Sequence, residues 1–166
     1  MSDGKPTDDK VRVFTTHSAE ETIEAGRELA KFLDPPRTLL LRGDLGAGKT
    51  TLVKGIAAAL GAAEPDEVTS PTFTLIHEYA GRSVEHAKLG ETILLYHLDL
   101  YRIENQRQLD TLGMEELMTP QSVLLIEWGE KFPSVVERSD GEIVIETLHG
   151  DERRIALALR SLKTSS

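Results

Sequence analysis

Cysteine is absent from this 166-residue chain, which removes disulfides, thiolate zinc sites and cysteine nucleophiles together. No apolar run approaches the ~20 residues that a membrane-crossing helix needs, and the opening residues carry no signal-peptide pattern. These absences lead us to expect a cytoplasmic protein with no membrane partner. An excess of positive charge is also lacking: the formal net charge is −9 and the sequence pI is near 5.1. A broad basic face for nucleic acid is therefore not expected, and any service to RNA would run through a protein partner. Internal repeats and low-complexity segments are missing too. The length fits one domain with a sizeable core.

What the chain does contain is the stretch Gly43-Asp44-Leu45-Gly46-Ala47-Gly48-Lys49-Thr50. A glycine, four residues and then Gly-Lys-Thr is the spacing of a phosphate-cradling P-loop. Glycines allow successive N–H groups to turn inward on an anion, Lys49 adds a cation, and the Thr50 hydroxyl suits Mg²⁺. The flanks agree. Thr38-Leu39-Leu40-Leu41 reads as a buried strand, while Leu52, Val53, Ile56 and Leu60 recur at helical spacing before a terminating Gly61. A helix following the loop would also turn its positive dipole end towards the anion.

Around this unit, Val11-Arg12-Val13-Phe14 alternates as a strand. Ser18 and Glu21 form a capping box for a helix carrying Ile23, Leu29, Ala30 and Leu33, and Pro35-Pro36 stop it. Residues 64–67 read as a loop. Ser70-Pro71 marks a turn into a strand over residues 73–79, paired antiparallel with a second strand over 92–100 through an exposed connection around 81–90. Leu109, Leu112, Met114 and Leu117 indicate two short helices broken near Gly113. Val123-Leu124-Leu125-Ile126 is another buried strand, and residues 142–148 and 153–159 alternate about a turn at His149-Gly150-Asp151. The expected fold is a three-layer α/β P-loop NTPase domain over residues 10–160, with a mixed, mainly parallel central sheet plus antiparallel hairpins. Residues 1–9 are expected to be a disordered leader and 161–166 a frayed tail.

A P-loop needs a carboxylate from a neighbouring strand before it can hold a metal or hydrolyse. Glu127 directly follows a buried strand, at the end where ligands bind in open α/β sheets. Asp99 stands within the apolar run Tyr96-His97-Leu98-Asp99-Leu100-Tyr101-Arg102 and must find a partner, either a metal or phosphate-bound water or a cation such as Arg102. His97 and Asp99 share a strand face, as a metal pair with His77 would, although hydrogen-bonded histidines are the commoner case. Thr72 either reaches a phosphate or bonds its own backbone. For Arg102 an exposed salt bridge is expected. Trp128, the only tryptophan, either packs or lines the cleft beside Glu127.

Four stretches in this order, the P-loop with Thr51, Ser70-Pro71-Thr72-Phe73-Thr74-Leu75, His97-Leu98-Asp99-Leu100-Tyr101-Arg102 and Ile126-Glu127-Trp128, resemble the bacterial TsaE (YjeE) family. The likeness runs from about Val11 to Leu159. Its members are ATPases of tRNA threonylcarbamoyladenosine biosynthesis. The resemblance implies an accessory, weakly active ATPase using ATP and Mg²⁺. Its partners would be the transferase subunits TsaD and TsaB, which place threonylcarbamoyl on adenosine 37, and tRNA would be reached through that complex. It further implies nucleotide contacts at Leu45, Gly46, Ala47, Gly48, Lys49, Thr50 and Thr51, Mg²⁺ ligands at Thr50 and Glu127, and catalytic roles for Lys49, Asp99 and Glu127. Trp128 would lie beside the nucleotide, with adenine between Ala19 at the first helix and Gly150 in the terminal hairpin turn. Gly129 departs from the proline that other members often have there. Two other readings share the P-loop: a small-molecule or nucleotide kinase, and a regulatory module that binds nucleotide without turnover. The kinase would need an arginine-rich lid, and Arg102 and Arg107 alone do not make one.

Overall fold

Leu39, Leu40 and Leu41 are buried on both faces of β2 (Arg37–Arg42), so this strand runs through the middle of the sheet. A computed structural model describes residues 10–81 and 92–160; the leader at 1–9, most of the 81–90 connection and the tail at 161–166 lie outside the described residues. β2 pairs in parallel with β5 (Ser122–Glu127) on one side and β6 (Gly141–Thr147) on the other, and β4 (Ile93–Asp99) lies parallel beyond β5. The outer pairings are antiparallel: β3 (Ile76–Gly81) on β4, β7 (Arg153–Leu159) on β6, and β1 (Lys10–Thr16) on β7. The single seven-stranded sheet has the order β1-β7-β6-β2-β5-β4-β3. Its parallel centre and hairpin flanks match the expected mixed architecture.

Two helices cover one face. α1 (Ala19–Ala30) and α2 (Lys49–Ala59) bury Leu29, Leu52 and Ile56 against Leu39, Leu41, Leu125 and Ile143. Ser18 caps α1 by accepting from the Glu21 amide at 3.1 Å, but the Glu21 carboxylate reaches back to the His17 amide, not to Ser18. α2 ends as the sequence requires. Gly61 is left-handed (φ 70°), and the amides of Gly61 and Ala62 return to Ala58 and Ala57. On the other face, α3 (Gln106–Leu112), a 3₁₀ turn over Met114–Leu117 and α4 (Pro133–Arg138) bury Leu109, Met114 and Val135 against Leu40, Leu98, Leu124 and Ile126.

Four local readings need correction. α1 ends at Ala30, three residues before Leu33, because its last turn tightens to Lys31 N–Glu28 O; Leu33 is still fully buried. Pro65–Glu67 form a 3₁₀ turn, not an open loop. α4 begins at Pro133, in a stretch to which the sequence assigned no element; proline is favoured at a helix's first position. Most relevant to function, the strand expected over 73–79 starts at Ile76. Leu75 has φ 73°, and its amide closes the preceding turn on Pro71 O at 2.8 Å.

Candidate functional site

Strands β1, β2, β4, β5 and β6 all run the same way, so their carboxyl ends share one edge of the sheet. The P-loop leaves β2 there. Asp44 O accepts from the Ala47 amide at 3.0 Å across Leu45 and Gly46, and Gly46 (φ 80°) and Gly48 (φ 110°) take backbone angles that side chains resist. The amides of Gly46, Gly48, Lys49 and Thr50 have no backbone acceptor among the described residues. Lys49, Thr50 and Thr51 are the first three residues of α2, where helical amides point outward unpaired. Leu45, at the tip, is 100% exposed and Ala47 is buried.

Glu127 ends β5, and Asp99 is its register partner at the end of β4. Both are buried on the α2 side of the sheet. Glu127 Oε1 lies 3.6 Å from Lys49 Nζ, which itself donates to Gly43 O at 2.5 Å. Glu127 Oε2 lies 2.6 Å from His97 Nε2. Asp99 Oδ1 accepts from the Tyr101 amide at 2.9 Å, and among the described residues no ion pair joins Asp99 to Arg102. Arg102 instead lays its guanidinium 4.6 Å over Phe73, in place of the expected salt bridge. His77 is opposite His97 in register but turns Nδ1 to Thr69 O; the described residues hold no group of three metal-binding side chains, so a His97–Asp99–His77 centre is not formed. Thr72 Oγ1 pairs with Ser70 Oγ at 2.7 Å within its own turn. Trp128 is half-buried, left-handed (φ 65°) and packed on Tyr101 with ring centroids 5.2 Å apart.

Ala19 and Gly150 reach the same edge from the far side. Thr16 and Arg153 are the last pair of the β1–β7 ladder, and His17 Nε2 is 3.8 Å from Glu152 Oε2. Arg153 then joins the hairpin turn to the P-loop, donating from Nε to Ala47 O at 2.9 Å and from Nη1 to Gly150 O at 2.8 Å. No motif marks this residue in the sequence. Lys131, equally silent there, gathers the carbonyls of Leu100, Tyr101 and Ile103 at 2.9–3.2 Å and fixes the exit of β4 beside Asp99. Replacing Arg153 with Met is expected to loosen the loop by about 1–1.5 kcal/mol, seen as a five- to tenfold weaker nucleotide Kd in a fluorescence titration.

An arrangement of unpaired amides, one ammonium and two buried carboxylates can hold a polyphosphate with a hard divalent cation. The family model for threonylcarbamoyl adenosine biosynthesis protein TsaE matches residues 16–155 of the chain. The tRNA threonylcarbamoyladenosine biosynthesis protein TsaE of Bacillus subtilis is 39% identical, over 86% of this chain and 82% of the relative. That of Nostoc sp. is 41% identical over 76% and 72%, and that of Treponema pallidum 35% over 86% and 97%. The crystal structure of Bacillus subtilis YdiB superposes with a TM-score of 0.64 at 33% identity, covering 92% of this chain and 88% of that one.

Proposed function

Because the chain belongs to the TsaE family of tRNA threonylcarbamoyladenosine biosynthesis, we propose that it is a weak Mg²⁺-dependent ATPase acting on the TsaD–TsaB transferase complex. The supporting observation is the convergence, on one sheet edge, of free P-loop amides with the Lys49–Glu127 pair at 3.6 Å. In this reading the amides of residues 45–51 cradle the phosphates and Lys49 leaves Gly43 O for the β- and γ-oxygens. Thr50 and Glu127 offer the hard oxygens that suit Mg²⁺, which when bound would offset polyphosphate charge. Asp99, with one oxygen fixed by the Tyr101 amide, is the acid that orients the attacking water. The adenine lies between Ala19 and Gly150, and Trp128 flanks the nucleotide.

Dependence on a partner is supported by the rim. Leu45 and Phe73 are 100% and 80% exposed there, and Tyr101 61%, an apolar margin of the kind that docking surfaces carry. With a net charge of −9, tRNA is reached through the complex, not by direct grip. Among the described residues no helix is long and apolar enough to cross a membrane, and we place the protein in the cytoplasm.

The test is ATP hydrolysis by the protein alone and then with TsaD, TsaB and tRNA. Slow turnover alone, rising several-fold in the assembly, is expected. Tight ATP binding without hydrolysis in either state would make the protein a regulatory module. Transfer to a small acceptor faster than to water would make it a kinase.

A further inference from the structure

His97 is 0% exposed yet sits inside a charged cluster, an uncommon lodging for an imidazole. A carboxylate only accepts, so the 2.6 Å contact makes His97 Nε2 the donor to Glu127 Oε2. Nδ1 is buried and has no partner among the described residues. A half-satisfied buried imidazole costs stability, and an apolar residue of similar size would pack there without that cost. The position is therefore better explained by what Nε2 does than by packing.

The strand register supplies that explanation. His97 is paired with Leu125 and Asp99 with Glu127, so the imidazole reaches the carboxylate diagonally, from within the sheet, while Lys49 reaches it from the loop. Each Glu127 oxygen thus has its own cation or donor. The two differ in permanence. Lys49 hangs on a flexible stem and is shared with Gly43 O, whereas His97 is fixed by complete burial. Once the ammonium moves to a polyphosphate, only the imidazole still holds Glu127.

We propose that His97 is a positioning residue: its Nε2–H pins Glu127 Oε2, so that Oε1 stays turned towards the divalent ion when Lys49 departs. The proposal rests on the nucleotide-site reading above and deepens it. It needs no charge on the histidine, only the donor at Nε2. Holding a ligand's second oxygen in this way commonly alters metal affinity by about 10–100-fold.

The experiment measures ATP binding by calorimetry in EDTA and across a Mg²⁺ series, with thermal unfolding recorded for each variant. In His97→Leu the Mg²⁺ needed for tight ATP binding should rise by about tenfold or more, while ATP affinity in EDTA stays as in the parent. His97→Gln, whose amide nitrogen reaches the place of Nε2, should restore most of the Mg²⁺ response. His97→Asn, whose amide reaches only the place of Nδ1, should not. In a Glu127→Gln background, His97→Leu should change the Mg²⁺ response no further. If the Leu variant does not fold, the Gln and Asn pair carries the comparison. An unchanged Mg²⁺ response in Leu and Asn, a Gln variant as impaired as Leu, or equal losses in EDTA and Mg²⁺ overturns the proposal. A parent that binds ATP in neither buffer instead sinks the nucleotide-site reading, and the role of His97 with it.

Discussion

Replacing Lys49 by alanine is expected to weaken ATP binding by roughly thirty- to a hundredfold, a loss of about 2–3 kcal/mol. The size follows from the kind of bond removed: an ammonium on a phosphate oxygen is charge-assisted, worth about twice a neutral hydrogen bond. The loop amides remain, so residual binding should persist at high ATP. A second consequence concerns the ligand-free protein. Glu127 is buried with Lys49 at 3.6 Å and His97 at 2.6 Å, so the variant leaves that carboxylate with one donor in place of two. A lowered melting temperature without ATP should accompany the weaker binding, and Glu127→Gln added to Lys49→Ala should recover part of it. Calorimetric titration with ATP, together with thermal unfolding of both variants, reads these effects. ATP affinity and hydrolysis that both survive in Lys49→Ala would remove the P-loop from the function altogether.

How far the sequence revealed this site depended on whether the determining contacts were local. The P-loop was legible because its strand, glycines and helix lie within about two dozen residues, each with a short-range pattern. Glu127 was legible for the same reason, standing at the end of an unbroken apolar run. Asp99 could be located but not paired, since its partner is the Tyr101 amide and a backbone donor has no sequence signature. The His97–Glu127 bond spans 30 residues and exists only because β4 lies beside β5. The join of β1 to β7 spans nearly the whole chain and brings the start of α1 and the β6–β7 turn to the same edge of the sheet. The turn before β3 was misread because Leu75 takes a positive φ that the sequence gives no reason to expect of leucine.

Gly55→Ala should destabilise the protein by about 3 kcal/mol, even though the same change in an ordinary helix stabilises by about 0.5–1 kcal/mol. The sign turns on the crossing of α1 and α2. A Cβ at Gly55 would stand 1.9 Å from Ile23 O, and one at Gly26 would stand 2.3 Å from Leu52 O. Both obstacles are backbone atoms, so no side-chain rotation relieves them. The helices must separate, and with them the buried layer that joins Ala25 and Leu29 to Leu52 and Ile56. For a chain of this size the expected fall in Tm is about 6–12 °C. Gly26→Ala should have the same sign, and the double variant should cost less than the two singles together, because one separation relieves both clashes. The effect should reach function as well. Lys49, Thr50 and Thr51 form the first turn of α2, so displacing the helix shifts the P-loop amides and should also weaken ATP binding. Thermal unfolding of the three variants is the measurement. A Gly55→Ala protein as stable as the parent would mean that the two helices yield at no cost, and that the phosphate loop is not held by their packing.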